Sequence, residues 1–563
     1  MKLFPSTAIA LALTAAAPVA AQQAAAPAPA PAPAAPVATN APVSMETPPK
    51  LIVMISVDQF SADLFAEYRA QFTGGLARLE SGVVFPSGYQ SHAATETCPG
   101  HSTILTGARP YRTGIIANDW TDFGVARADK TIYCAEDPSV PGSSSKDYTV
   151  SDKHLKVSTL GEWMKLANPA SRVVSIAGKD RAAVMMGGHK IDELWYFWDK
   201  TRSFQSYAGR QAPARVNQIN ALVTERLAEA RQGMDVPAFC KSRQQAYNLG
   251  TVTVGAGTFE RKAGDLRGFK ASPEFDDAVV TLAGSLAIDM KLGQGAAPDL
   301  LIVGASATDY VGHGLGTEGS EMCLQMFALD QKLGELFSLL DSTGVDYAVA
   351  LTADHGGTDI PERNQAHGAP EAARVQATAV ASAIGKQVQT ALKLDAQPLT
   401  GGSFGDVYID PKLSKKARAA VQAEAIKAYR AHPQVQAVYT GAEIAATPMP
   451  KGPPETWTLL ERARASYDPA RSGDLYVVLH PRIVPIATPG PGYASTHGSI
   501  WDYDRRVPIL FWRKGMTGFE HPLSVETVDI APTLAGLLHV PVPVEIDGHC
   551  LDLDAGAAST CAK

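Results

Sequence analysis

Beyond its opening segment the sequence has no apolar run long enough to span a bilayer, which excludes a multi-pass membrane protein. An excess of charge of one sign is also missing. Lys and Arg number 50 against 57 Asp and Glu, and the net charge of −7 gives no electrostatic pull toward nucleic acid or an anionic membrane. An anionic ligand would need locally gathered positive charge, which metal ions can supply. Cysteine is sparse, and none of the six forms a Cys-x-x-Cys pair, so zinc-knuckle spacing is excluded. No internal repeat stands out.

What is present begins with a signature of export. Lys2, the apolar stretch Ala8–Ala17 and the small residues Val19-Ala20-Ala21 read as a signal peptide over residues 1–21, cleaved near Ala21. Pro5, Pro18 and the shortness of the run argue against a membrane anchor. Residues 22–50 are nearly all Ala, Pro, Val and Gln, a composition that cannot bury a core and predicts a disordered linker. The expected location is periplasmic or secreted. Cys98, Cys134, Cys240, Cys323, Cys550 and Cys561 then read as disulfide partners, with Cys550–Cys561 the easiest local pair. Cys98–Cys134 and Cys240–Cys323 would complete a set, although spacing alone leaves the connectivity open.

The folded part, residues 51–563, is longer than one ordinary core requires, which predicts a large α/β domain with inserted lobes. Leu51–Val57 is a short apolar, β-branched run of the kind buried in a parallel sheet. Similar runs occur at Arg172–Ile176, Asp299–Val303, Tyr347–Thr352 and Pro508–Trp512. Helical patterns lie between several of them, for example Met322–Leu340 and Val528–Leu538. This alternation predicts a three-layer α/β/α sandwich around a mostly parallel sheet. Cap-like inserted lobes are expected near residues 190–290 and 375–480. Asp406–Ile409 and Asp474–Leu479 are strand candidates within the second.

Most of the chemistry-bearing residues follow those strands. Asp58 ends the first run, Asp309 and His313 stand four apart, Asp354-His355 precede a Gly-Gly turn, and His497 lies near the end. Carboxylate oxygen and imidazole nitrogen suit zinc. Taken singly, such an Asp is more often a turn or cap residue, and such a His a hydrogen-bonded core group. Their joint order after apolar strands is the stronger signal. A fifth segment, Glu96-Thr97-Cys98-Pro99-Gly100-His101, offers a hydroxyl instead. Thr97 there also fits an ordinary helix N-cap.

The order Asp58, Thr97, Asp309/His313, Asp354/His355, His497 resembles the alkaline phosphatase superfamily. It is similar to the branch of type I phosphodiesterases, nucleotide pyrophosphatases and secreted bacterial alkaline phosphatases with a threonine nucleophile. Thr97–Asn118 matches that branch's nucleophile segment, and Val528–Leu534 with Asp547-Gly548 is also typical. The resemblance implies two zinc ions, one held by Asp309, His313 and His497, the other by Asp58, Asp354 and His355. Thr97 would take the phosphoryl group from a small phosphate monoester as phosphothreonine, and Asn118, Lys179 and Arg181 would bind the phosphate. Lys179 and Arg181, read as two apart in an extended stretch, would face one side. A cationic pair there favours the more highly charged monoester over a diester. The runner-up is a phosphodiesterase/nucleotide pyrophosphatase on the same scaffold, and a non-catalytic periplasmic binding protein is a further alternative. The C-x-P-x-R context of sulfatases is absent at Cys98. His92, His101, His189 and His367 stay unassigned, though His101, one helical turn after Thr97, is positioned to orient that segment.

Overall fold

A computed structural model of the protein describes residues 47–556 and 559–561. The expected signal peptide, and the linker up to residue 46, lie outside the described residues. Among the described residues no helix is long and apolar enough to cross a membrane.

The strands begin with β1 (Leu51–Val57), β2 (Val83–Tyr89) and a hairpin, β3 (Asp119–Thr121) with β4 (Thr131–Tyr133). Next come β5 (Val173–Ala177), β6 (Glu193–Trp198), β7 (Ser203–Gln205), β8 (Asp299–Ala305) and β9 (Tyr347–Thr352). After them follow β10 (Leu399–Gly401), β11 (Gly405–Ile409), β12 (Val435–Thr440), β13 (Leu475–Leu479) and β14 (Arg506–Arg513). The central sheet runs β2-β14-β9-β1-β8-β5-β6-β7, with two short strands, Phe519–Glu520 and Val525–Glu526, beside β2. Its middle is parallel: β1 pairs in register with β8 and β9, and β5 joins β8 to β6.

All seven residues of β1 are buried, and they alternate between two cores. Leu51, Val53, Ile55 and Val57 pack into one, with α4 (Pro273–Asp289) and α6 (Ser320–Asp341). Ile52 and Met54 enter the other, with α2 (Leu160–Ala167), α3 (Asp180–Gly187) and α7 (Ile530–Leu538). Burial of each such side chain contributes about 1.5–3 kcal/mol. Ordering its backbone costs about 1–2 kcal/mol. Packing on both faces therefore decides the strand, and the fold is a three-layer α/β/α sandwich.

Two features differ from the expectation. The Pro508–Trp512 run lies in β14, which is antiparallel to both β9 and β2. A strand buried on both faces carries no sequence mark of its direction. The stretch near 190–290 opens with β6 and β7, which extend the main sheet before the chain departs. Its later part includes the helix Ala214–Ala228 and returns through α4. Residues near 375–480 form a separate antiparallel sheet, β10-β11-β13-β12, packed on its own core of Ile384, Val388, Val421, Leu475 and Val477. The disulfides are Cys98–Cys134, Cys240–Cys323 and Cys550–Cys561.

Candidate active site

The adjacent strands β8, β1 and β9 deliver three carboxylates to one place. Asp58 follows β1, and its amide donates to Ala305 O at the end of β8. Asp354 follows β9, and Asp309 sits in the first turn of α5 (Ala307–Leu315), with His313 in its last turn. All three carboxylates are at most 1 % exposed. His313 Nε2 lies 3.2 Å and His497 Nε2 3.3 Å from Asp309 Oδ1. His355 Nε2 lies 3.5 Å from Asp58 Oδ1 and 3.3 Å from Asp354 Oδ2. The His355 and His497 rings stack at 3.6 Å.

The other nitrogen of each imidazole explains these orientations. Nδ1 of His313, His355 and His497 faces the carbonyls of Ser495, Gly356 and Thr95 at 3.0, 2.9 and 2.8 Å. A carbonyl accepts only, so each Nδ1 carries a proton, and in the neutral ring, the form that binds metal, Nε2 presents a lone pair. In that form a lone pair faces carboxylate oxygen. Asp58 Oδ1, Asp309 Oδ1, Asp354 Oδ2 and His355 Nε2 are all buried without a hydrogen-bond partner among the described residues. Such crowding is costly unless cations lie between the groups. The donor set fits metal. Two groups, Asp309/His355/His497 and Asp58/Asp354/His355, each converge closely enough to hold an ion, and His355 belongs to both. His313 joins the first through its contact with Asp309 rather than as part of the tight cluster.

The same crowding shifts the acids and bases. Burial, with Asp309 and Asp354 nearby, holds the Asp58 carboxyl well above its usual range. Burial pushes Asp309 upward too, but Lys179 and His313, when its ring is protonated, outweigh it and hold that group low. Desolvation takes His355 down to about 3, which keeps its ring neutral and able to bind metal. The Lys179 ammonium is buried between Asp58 Oδ2 at 2.7 Å and Asp309 Oδ2 at 2.5 Å. Burial disfavours its charge, yet these two carboxylates raise its pKa.

Thr97 is the first residue of α1 (Thr97–Ile104), and Glu96 holds the N-cap position, so the cap role considered for Thr97 falls to its neighbour. Thr97 Oγ1 lies 3.4 Å from both Lys179 Nζ and Arg181 Nη2. Lys179 and Arg181 do not share an extended stretch. Lys179 is the extended N-cap of α3, and Arg181 lies in its first turn, so the turn itself aims both at Thr97. A Cβ at Gly100 would lie 2.0 Å from Asp354 O, so α1 approaches β9 this closely only with glycine there. Gly356 needs the same freedom against Tyr503 O, at 2.2 Å. Asn118 Oδ1 accepts from Cys98 N at 2.8 Å, which leaves its Nδ2 donor available beside Thr97.

His101, left unassigned from sequence, is fully buried, with Nδ1 2.8 Å from Thr97 O and 3.1 Å from Asp354 Oδ2. Its spacing from Thr97 was the available signal. His92 is buried without a partner among the described residues, His189 pairs with Glu162 and His367 is near Glu318, all outside the cluster. A cleft of about 420 Å3 opens beside Glu96 and Gly498, walled by Trp120, Phe404, Tyr408 and Tyr476. Asp119, which is exposed, and Asp406 also line it, and desolvation pushes the Asp406 carboxyl up to about 7.

Residues 52–500 match the model of the type I phosphodiesterase / nucleotide pyrophosphatase family. The chain is 55% identical over 521 residues to alkaline phosphatase PhoK of a Sphingomonas species, covering 92% of this chain and 93% of that one. It is 48% identical over 517 residues to alkaline phosphatase PhoD of Zymomonas mobilis, covering 91% and 89%. The crystal structure of wild-type alkaline phosphatase PafA superposes with a TM-score of 0.77 at 24% identity, covering 90% of this chain and 98% of that one, a likeness of fold.

Proposed function

Because the chain belongs to the type I phosphodiesterase / nucleotide pyrophosphatase family and is a phosphatase, we propose that it hydrolyses phosphate monoesters with Thr97 as nucleophile. The observation that carries this reading is a buried hydroxyl, Thr97 Oγ1, held 3.4 Å from two cationic side chains beside a cluster of metal-ligand type. Asp309, His313 and His497 would hold one zinc ion and Asp58, Asp354 and His355 a second, and the pair would supply the positive charge that acidifies hydroxyls and stabilises a leaving oxygen.

The side chains do the rest. Thr97 Oγ1 gives up its proton to solvent and attacks phosphorus, forming the Thr97 O–P bond as the bond to the leaving oxygen breaks, and that oxygen takes a proton from solvent to depart as the alcohol. Arg181 and Lys179 bind the non-bridging oxygens, where a monoester carries more charge than a diester. Asn118 Nδ2 donates to the same group. Water then displaces Thr97, releasing inorganic phosphate and restoring the hydroxyl. Two in-line displacements give net retention at phosphorus. Once ionised, at alkaline pH, the carboxylates of Glu96, Asp119 and Asp406 along the cleft count against polyanionic nucleotide diesters. Residues 51–563 form the catalytic domain, and residues 1–21 and 22–50 serve as export signal and tether for a periplasmic or secreted enzyme.

The test is the zinc-loaded protein assayed on nitrophenyl phosphate, its bis-ester and its sulfate. Monoester turnover should dominate, and Thr97→Ala should abolish it with zinc content unchanged. Substantial activity left in Thr97→Ala would move the nucleophile elsewhere.

A further inference from the structure

Arg181 reaches Thr97 without any carboxylate paired to its guanidinium among the described residues. Its Nη2 is 3.4 Å from Thr97 Oγ1, its Nη1 donates to the Tyr133 hydroxyl at 3.4 Å, and its Nε is buried with no partner. The nearest acid in sequence, Asp180, is turned away and otherwise engaged. Tyr133 OH donates to Asp180 Oδ1 at 2.8 Å, and Tyr148 OH donates to Asp180 Oδ2 at 2.8 Å. Asp180 and Tyr133 are buried, at 6 % and 7 % exposure. The two phenol rings lie 4.6 Å apart, and Tyr148 packs edge-on against Trp198 at 5.5 Å. Tyr133 is followed by Cys134, whose disulfide to Cys98 ties hairpin β3–β4 to the residue after Thr97.

The chemistry of this arrangement is specific. A carboxylate bonded directly to Arg181 would fix it but also neutralise the charge a phosphate needs. With a phenol between them, Asp180 polarises the Tyr133 oxygen, which accepts from Arg181 and holds it in place. The guanidinium stays unpaired toward Thr97. Resting on the reading of Arg181 as a phosphate ligand, we propose that Asp180, Tyr133 and Tyr148 are positioning residues for Arg181. Together they set the preference for monoesters over diesters.

The experiment is a set of double-mutant cycles on the zinc-loaded, disulfide-intact enzyme, with nitrophenyl phosphate, bis-nitrophenyl phosphate and inorganic phosphate as competitive inhibitor. Tyr133→Phe and Asp180→Asn should each lower monoester kcat/KM about tenfold, as expected for losing a coupling of about 1.4 kcal/mol. The diester value should change less than about twofold, and inhibition by phosphate should weaken in step with the monoester loss. In an Arg181→Ala background neither substitution should matter further, because the residue they place is gone. Tyr148→Phe removes one donor to Asp180 without touching Arg181 and should show the same selective loss, smaller in size. Equal losses on both esters, or losses that persist undiminished without Arg181, would overturn the proposal. If Arg181→Ala itself leaves the ratio of monoester to diester activity unchanged, the phosphate-ligand reading fails and takes the brace with it. If Arg181→Ala changes that ratio and the three other variants do not, only the brace fails.

Discussion

Asn118 divides its amide between structure and chemistry. Its Oδ1 is committed to Cys98 N, and its own amide is held by Glu96 Oε2 at 2.6 Å, so the side chain can turn only its Nδ2 toward a phosphate. Asn118→Asp keeps the acceptor and the shape but replaces the donor with a charged acceptor. Losing one hydrogen bond to a charged group costs about 1.5–3 kcal/mol, so monoester kcat/KM should fall roughly ten- to a hundredfold. Thermal stability should change little, and steady-state kinetics with a melting curve would check both. Asn118 and the six metal-ligand candidates were legible because most lie at strand ends or inside a recognisable motif. Tyr133, Tyr148 and Asp180 were not. Their meeting depends on hairpin β3–β4 and the loop after it folding against α3, a tertiary arrangement that leaves no spacing in the chain.

At the level of elements, the junction between α2 and α3 carries a pH response. Glu162 completes a capping box with Thr159 at the start of α2 and also meets His189, which follows the C-cap of α3. The hydrogen bond to Glu162 raises the His189 pKa from 6.5 to about 8, against the opposing effect of its partial burial. A group whose pKa rises on folding stabilises the fold fully below its unfolded value and loses that contribution as pH climbs through the folded one. Wild type should therefore exceed His189→Phe in urea midpoint below pH 6.5, and the difference should shrink as pH passes about 8. The histidine proton resonances would report the titration directly. Strand existence was readable here from apolar runs such as Leu51–Val57. The direction of β14 was not, since a run buried on both faces looks alike either way. The strand β6 escaped notice because Glu193–Trp198 lies in the stretch read as a cap-like excursion, with no catalytic motif to mark it.

For the whole molecule, the buried acids make metal a matter of stability as well as activity. Without the proposed ions, Asp58, Asp309 and Asp354 would be left crowded together and buried. Dialysis against a chelator should abolish turnover and lower the melting temperature, and zinc should restore both. A ligand at about a thousand times its Kd stabilises by about 4 kcal/mol, so the shift should be readily measurable by calorimetry. An unchanged melting temperature would argue that Lys179 alone balances the acids. The sheet order carries one more implication. Asp58, Asp309 and Asp354 are brought together by the pairing of β8, β1 and β9, strands separated by long stretches of chain. A nascent or unfolded polypeptide therefore offers metal no complete cage. Ions bound there as proposed would be captured by the paired strands rather than serve as the template on which those strands assemble.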